Sequence, residues 1–308
     1  MNENKDLKLT VSSSPHINSP VNTQALMIDV LIALIPAMCL GVVYFGPRAL
    51  VLTAVSVVGC EFFEWLYRKW MKKPQTAGDM SAAITGVLLA FVCPVTLPYW
   101  FILVGDFIAI VVVKQLFGGL GKNFLNPALA GRAFMTLCSA SAMSVWARPG
   151  KRYWLDITAS AADAITSATP LSAMHGSADA AATLPWTGAA GEGLKNLFIG
   201  NVGGCIGEVS AMALLLGGLY LVWRGVIHIR IPAAYLGTVA LLTFLFPRNN
   251  PSVEWMLAQL LSGGLLLGAF FMATDYVTSP CTPRGELIFG VGCGLLTVFM
   301  RYFGGRCV

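Results

Sequence analysis

Long apolar runs joined by short polar connections dominate the chain from residue 26 to residue 303. A helix needs about 20 apolar residues to cross a bilayer, so runs of this length predict transmembrane helices. The apolar residues are continuous rather than alternating, which excludes a transmembrane β-barrel. The pattern predicts an all-α polytopic membrane protein with about nine spans, at residues 26–45, 50–67, 82–94, 100–117, 127–146, 197–223, 231–246, 255–273 and 287–303.

Two of these runs are interrupted. The run at 82–94 is too short to cross a bilayer and ends in Pro94, and the run at 127–146 begins at Asn126-Pro127 after a glycine-rich stretch. Weaker counterparts in the second half are Gly203-Gly204 and the segment 275–280. Backbone leaves the helix at membrane depth only where protein or a cavity satisfies its polar groups. We therefore expect broken or half helices that line a buried site.

The composition supports a membrane protein. Hydrophobic residues make up 56% of the 308 residues and charged residues 11%, against about a quarter in soluble domains. The mean hydropathy is +0.71. The net charge of +5 comes from 20 basic and 15 acidic residues, and most basic residues lie between apolar runs, where they orient helices. We expect no nucleic-acid partner, and membrane lipid as the surroundings.

Charge in the connections predicts the orientation. The densest basic cluster, at residues 68–73, should face the cytoplasm by the positive-inside rule. Alternation then places a tail, 1–25, inside and the Ala-, Ser- and Thr-rich loop 148–196 outside the cytoplasm. These segments frame two membrane units, 26–147 and 197–308.

Five carboxylates fall within predicted spans, where ionisable groups are costly. Glu61 and Glu64 lie near Arg68 on one helix face, so an interfacial ion pair explains them, and Asp29 lies near the cytoplasmic end of its helix. Asp106 and Glu208 lie deeper. They are the candidates for an ion or electron path.

The sequence contains no recognisable metal-binding or hydrolytic motif. The eight cysteines and three histidines are scattered, with no spacing that suits zinc or an iron–sulfur cluster. No nucleophile elbow, P-loop or metalloprotease motif is present. We therefore expect no metal site and no catalytic residues of the hydrolytic or nucleotide-driven kind.

A short motif lies in the outer loop. Residues 163–169 read DAITSAT, which resembles the signature at which a flavin transferase esterifies FMN through its phosphate to the last threonine. On this resemblance Thr169 carries the flavin, and the remaining cofactor-site residues are Asp163, Thr166, Ser167 and Ala168. Small neighbours and an accessible loop suit such a modification.

The same chain resembles the RnfD family, the D subunits of Rnf electron-transport complexes, over essentially its whole length. The matching stretches occur in the expected order, at residues 13–16, 114–123, 126–128, 131–134, 200–204, 206–208, 271–275 and 277–280. The family has ten helices in two inverted halves. Its members continue past the segment equivalent to 301–305 into one more helix, so we expect an inverted repeat of five-helix units whose last helix is missing.

The resemblance implies a function. The family's complexes couple electron flow between ferredoxin and NAD to outward pumping of Na⁺ or H⁺ across the bacterial cell membrane. This chain would carry covalent FMN at Thr169 and relay electrons, while subunits A, B, C, E and G hold the other cofactors and sites. A flavin transferase would be needed for maturation. Whether a second, non-covalent flavin such as riboflavin is bound stays open.

Two alternatives share some of these features. The homologous NqrB component of the sodium-pumping NADH:quinone reductase has the same motif but usually a longer N-terminal extension than the roughly 25 polar residues present here. A secondary transporter or channel without redox activity would also have broken helices and a duplicated architecture. Covalent flavin distinguishes the redox proteins from the transporter.

Overall fold

The computed structural model describes residues 22–147, 149, 169–175, 192–248 and 252–304. Every regular element within these ranges is helical, which confirms the predicted all-α class. The α-helices in chain order are α1 Thr23–Phe45, α2 Pro47–Trp70, α3 Ser81–Phe91, α4 Tyr99–Phe107, α5 Pro127–Cys138, α6 Ala140–Met143, α7 Pro170–His175, α8 Glu192–Ile199, α9 Ala211–Trp223, α10 Arg230–Leu245, α11 Ser252–Leu261, α12 Leu265–Leu267 and α13 Pro283–Phe303.

Three helices, α1, α2 and α13, are each long and apolar enough to cross a membrane. The pair Ser252–Leu261 and Leu265–Met272 also qualifies if it is counted as one bent span. Gly46 separates α1 from α2 with a positive φ of 78°, and Pro47 then opens α2, a position that proline favours. Long apolar helices of this kind make the protein a membrane protein.

Helix α3 is a half helix, as the short apolar run predicts. It spans only Ser81–Phe91, and nearly all of its residues are buried. The chain then leaves the helix around Pro94, where the buried Arg48 donates hydrogen bonds to the carbonyl oxygens of Val95 at 2.8 Å and Leu97 at 3.3 Å. These bonds supply the partners that irregular backbone needs in an apolar environment.

Three predicted spans are divided between two helices. The run 127–146 is divided at Ser139 between α5 and α6. The run 197–223 is divided into α8 and α9 by the irregular segment 200–210. Gly200 begins this segment at a φ of +116°, and a Cβ there would lie 2.4 Å from the carbonyl oxygen of Val209. The run 255–273 bends by 63° between α11 and α12. Hydropathy reports burial in lipid or protein and does not distinguish a straight helix from a broken one.

Two π-helices end apolar runs in the two halves. The first, Ile108–Gln115, continues α4, and the second, Gly268–Met272, continues α12. Both lie in apolar runs whose hydropathy predicts ordinary spans. π-Helical turns are rare and are frequently found at functional sites. An irregular segment follows each π-helix, and the two segments line one common cavity.

Close helix contacts rely on small residues. A Cβ at Gly217 of α9 would lie 2.1 Å from the carbonyl oxygen of Ala33 in α1, and a Cβ at Gly290 of α13 would lie 2.9 Å from that of Ile231 in α10. Small residues at such points let helix backbones approach closely, which is how helices associate in lipid. The first contact joins the two halves of the chain, and the second lies within the second half.

Candidate functional site

Of the motif at residues 163–169, the structure describes Thr169. Asp163, Thr166, Ser167 and Ala168 lie outside the described residues. Thr169 is only 9% exposed and immediately precedes α7. Its Oγ1 accepts a hydrogen bond from the Ser172 backbone N–H at 3.1 Å, and its carbonyl oxygen accepts one from Ser172 Oγ at 2.8 Å. The hydroxyl is therefore held at a defined place at the start of a helix.

Helix α7 anchors Thr169 to the membrane helices. Leu171 and Met174 are buried in a cluster with Leu197 of α8 and Trp255 and Ala258 of α11. Burying apolar side chains of this size stabilises the contact by roughly 1.5–3 kcal/mol each. The part of the predicted outer loop that contains Thr169 and α7 is therefore docked on the helical core.

Thr169 opens onto a pocket of about 420 Å³, here called the Thr169 pocket. Its wall includes Trp146, the glycine pair Gly203 and Gly204, and Glu208. A larger cavity of about 940 Å³, here called the Arg301 pocket, shares Leu171, Glu208 and Gly263 with it. The two pockets are therefore neighbours, and Glu208 lines both of them.

The Arg301 pocket is lined by two guanidinium groups. Arg132 of α5 lies 3.6 Å from Glu208 Oε1, and Arg301 of α13 lies on the same cavity. The Arg301 guanidinium donates hydrogen bonds to the carbonyl oxygens of Gln259 at 2.5 Å and Ser262 at 2.9 Å. Fixed cations beside a glycine-rich segment suit an anionic group, because guanidinium N–H donors match phosphate oxygens.

Glu208 is placed by the meeting of two broken helices. The backbone N–H of Gly207 donates to the carbonyl oxygen of Phe91 at 2.9 Å, and that of Ile206 donates to the carbonyl oxygen of Cys93 at 3.3 Å. A Cβ at Gly207 would lie 2.6 Å from Phe91 Cβ, so glycine is needed for this approach. The end of α3 and the segment 200–210 are thus joined by backbone hydrogen bonds.

A third cavity of about 780 Å³, here called the Lys114 pocket, lies at the other end of α1. Met27 of α1 lines it, whereas Tyr44 donates to the carbonyl oxygen of Ile199, next to the Thr169 pocket. These two residues are about 25 Å apart at 1.5 Å per helical residue. The polar groups on the Lys114 pocket are Ser81, Thr85, Lys114, Asn123, Asn126, Thr274, Asp275 and Tyr276.

Both π-helices contribute to the Lys114 pocket. Lys114 belongs to the first, and Phe270 and Phe271 belong to the second. Asn126, which starts the predicted break before Pro127, caps α5 by accepting from the Ala128 backbone N–H at 3.0 Å. The interrupted segments singled out in the sequence therefore converge on cavities.

Asp275 lies outside the membrane-spanning helices, in the segment after the second π-helix. Burial raises the pKa of its carboxyl above the usual value, and hydrogen bonds from the Val277 N–H and the Thr278 hydroxyl oppose that shift. Desolvation disfavours the charged form of an acid. The carboxyl is thus less acidic than an exposed aspartate.

A buried ion-pair network borders the Lys114 pocket. Lys114 Nζ lies 2.8 Å from Glu64 Oε2 and 2.8 Å from Ser81 Oγ. Glu64 Oε1 accepts from the Thr76 hydroxyl at 2.6 Å and lies 3.6 Å from Arg68 Nε. The predicted Glu64–Arg68 pair is present. Lys114, fifty positions away in sequence, is the partner that sequence reasoning missed.

The two candidate path residues lie in different surroundings. Glu208 lines both the Thr169 and Arg301 pockets and pairs with Arg132. Asp106 is fully buried against Ser56 and Cys60 of α2 and lines none of the three pockets.

Asp29 pairs with Arg224 at 3.1 Å, a contact that no local sequence signal indicates, because the two residues are far apart in the chain.

Within the described ranges, no group of three or more metal-ligating side chains is present.

Comparison with known proteins places this geometry in context. The family described as NQR2, RnfD, RnfE matches residues 10–307. The D subunit of the Na⁺-translocating ferredoxin:NAD⁺ oxidoreductase complex of Acetobacterium woodii is 44% identical over 302 residues, covering 97% of this chain and 87% of the relative. The D subunit of the proton-translocating ferredoxin:NAD⁺ oxidoreductase complex of Clostridium ljungdahlii is 38% identical over 297 residues, covering 96% and 87%. The D subunit of an ion-translocating oxidoreductase complex of Methanosarcina acetivorans is 32% identical, covering 97% and 88%.

Proposed function

The chain belongs to the NQR2, RnfD, RnfE family, and on that premise we propose that it is the D subunit of an ion-translocating ferredoxin:NAD⁺ oxidoreductase. The observation that carries the proposal is 44% identity over 97% of the chain to a protein of that description. The protein relays electrons within the membrane and has no complete active site alone. Its partners are subunits A, B, C, E and G of the same complex.

Covalent FMN on Thr169 is part of this proposal. The Thr169 hydroxyl lies on a pocket, and the neighbouring cavity presents Arg132 and Arg301 to an anion. A phosphoester on Thr169 would keep a negative charge, which these guanidinium groups would hold by charge-assisted hydrogen bonds. Bound flavin supplies the electron-transfer chemistry, and the protein supplies position and polarity. An exported flavin transferase would attach it.

A second, non-covalent flavin such as riboflavin is proposed for the Lys114 pocket. The cavity is lined mostly by apolar side chains with a few polar groups, as small-molecule sites commonly are. Phe270 and Phe271 offer aromatic surface, while Asn123, Asn126 and Lys114 offer hydrogen-bonding groups. An aromatic ring system edged with polar atoms needs both kinds of contact.

Glu208 is proposed for the ion or electron path because it lines both the Thr169 pocket and the Arg301 pocket. Asp106 lines neither cavity. The coupled ion differs between relatives, since one is described as Na⁺-translocating and another as proton-translocating. We leave the ion open between these two.

We also propose nine membrane-crossing segments arranged as two inverted halves. The support is the recurrence of two features. Each half contains a π-helix followed by an irregular segment on the Lys114 pocket, and each contributes one broken helix to the contact between Phe91 and Gly207. Inverted repeats with discontinuous helices at their interface are common in membrane transport proteins.

The orientation follows from Arg68, Lys69, Lys72 and Lys73, whose transfer across a bacterial cytoplasmic membrane opposes the insertion bias. A reporter fused after Lys73 should be cytoplasmic, and one fused after Ser177 should be exported. Alkaline phosphatase and green fluorescent protein fusions measure the two outcomes. A cytoplasmic reporter at Ser177 would place Thr169 on the wrong side for an exported transferase.

Deleting the gene should abolish ferredoxin-dependent NAD⁺ reduction and the accompanying ion gradient in membrane vesicles. Returning the wild-type gene should restore both. If the deletion abolishes NADH-dependent quinone reduction and leaves the ferredoxin activity, the sodium-pumping quinone reductase is favoured instead.

Glu208→Gln keeps the shape of the side chain but removes its charge, so we expect electron transfer or ion pumping to fall severalfold while covalent flavin stays.

A further inference from the structure

Asp106 occupies an unusual position among the buried carboxylates. It is the penultimate residue of α4 and is 0% exposed. Its neighbours Ser56 and Cys60 lie near the middle of α2, so the carboxyl is deep within the helical core. The carboxyl therefore cannot be stabilised by bulk water or by polar lipid headgroups.

The Ser56 hydroxyl lies within hydrogen-bond distance of two oxygens, and a proton on Asp106 allows both contacts to be hydrogen bonds. Ser56 Oγ lies 2.6 Å from Asp106 Oδ1 and 2.9 Å from the carbonyl oxygen of Gly86. A serine hydroxyl has one hydrogen, and a carbonyl oxygen only accepts. If Ser56 donates to Gly86, the close contact with Asp106 requires a hydrogen on the carboxyl. Both contacts of the Ser56 hydroxyl are then satisfied.

The second carboxyl oxygen of Asp106 also favours a protonated carboxyl. Asp106 Oδ2 is buried and has no hydrogen-bond partner, which would be very costly for an ionised group. Cys60 Sγ lies 3.3 Å from Oδ1 and is a weak donor. An unpaired charge in this environment is removed by taking up a proton.

No cation neutralises Asp106 in the described part of the chain. Lys114 on the adjoining π-helix is held by Glu64, and Arg132, the basic side chain of α5, is directed to Glu208. Helix α3 carries no titratable residue. By contrast, three other buried carboxylates have a basic partner within 4 Å: Asp29 with Arg224, Glu64 with Lys114, and Glu286 with Arg230.

We propose that Asp106, with Ser56 and Cys60, forms a proton-binding site in which the carboxyl keeps its proton at neutral pH. The ligand of this site is a proton rather than a metal cation. The assignment stands apart from the flavin proposal, because it depends on hydrogen bonds of α2, α3 and α4 alone. It distinguishes Asp106 from Glu208, whose charge is balanced by Arg132.

Infrared spectroscopy of the purified complex containing this chain tests the proposal. At neutral pH, wild-type protein grown with ¹³C-carboxyl aspartate should show a carboxylic-acid carbonyl band that shifts with the label. Asp106→Asn should remove this band. Asp29→Asn is the matched control and should leave it, because Asp29 is an ionised partner of Arg224. Ser56→Ala should move the band to higher wavenumber without removing it, since the hydroxyl partner is lost.

Three results would overturn the proposal. One is wild-type protein with no label-sensitive carboxylic-acid band at neutral pH. Another is removal of the band by sodium chloride but not by choline chloride, which would assign the site to Na⁺. The third is an unchanged band in Asp106→Asn. If Asp106→Asn fails to assemble, the labelled wild-type and Ser56→Ala spectra still decide between a protonated and an ionised carboxyl.

Discussion

Thr169→Val should yield a folded protein that carries no covalent flavin. Valine keeps the β-branched shape of threonine and removes the hydroxyl oxygen that would be joined to the flavin phosphate. The variant also loses the hydrogen bond from the Ser172 N–H, a helix-capping contact worth about 1 kcal/mol. That loss is too small to unfold a membrane domain of this size. Ultraviolet fluorescence of the denatured protein on a gel measures the result, because covalent flavin survives denaturation.

Matched variants separate the acceptor from its surroundings. Ser172→Ala removes the hydroxyl that donates to the Thr169 carbonyl oxygen, and Ser167→Ala changes another hydroxyl of the motif. Both leave the Thr169 hydroxyl in place, so we expect the fluorescent band to remain. Protein made without an exported flavin transferase should be folded but without covalent flavin. Mass spectrometry that located FMN on Thr158, Thr166 or Thr183 would refute the Thr169 assignment.

Lys114→Met should destabilise the protein by about 3 kcal/mol or more, the usual effect of removing one partner of a buried ion pair. The Lys114 side chain is 3% exposed and that of Glu64 is 2% exposed, so Glu64 would lose its nearest cation without gaining water. Arg68 at 3.6 Å and the Thr76 hydroxyl offset part of the loss. Thermal unfolding of the detergent-solubilised protein measures the change.

A double variant shows whether the loss comes from an uncompensated charge. Glu64→Gln combined with Lys114→Met removes both charges, so we expect it to be more stable than Lys114→Met alone. Lys122→Met makes the same substitution at an exposed position in the next loop and should change stability by less than about 0.5 kcal/mol. Equal destabilisation by the single and double variants would show that packing, and not charge, is the cause.

Local sequence signals predict the helical class, the interruptions and the proposed flavin-attachment motif. Apolar runs determine which segments enter a membrane, because transfer of each side chain into lipid is an almost independent contribution. Proline and glycine determine where a helix begins or ends, as at Pro94, Pro127 and Gly200, through their own backbone geometry. The motif ending at Thr169 is likewise contiguous, so it is visible without a fold.

Contacts between distant residues were decided only by the tertiary structure. Lys114 meets Glu64 across 50 positions, Arg132 meets Glu208, and Asp106 meets Ser56, also 50 positions away. In the sequence each carboxylate is simply a charge in an apolar run, with no sign of whether a cation or a hydroxyl lies opposite. The packing of α2 against α3, α4 and the first π-helix makes that choice. In a medium that provides neither water nor ions, the partner that packing supplies decides whether a buried carboxyl is charged or neutral.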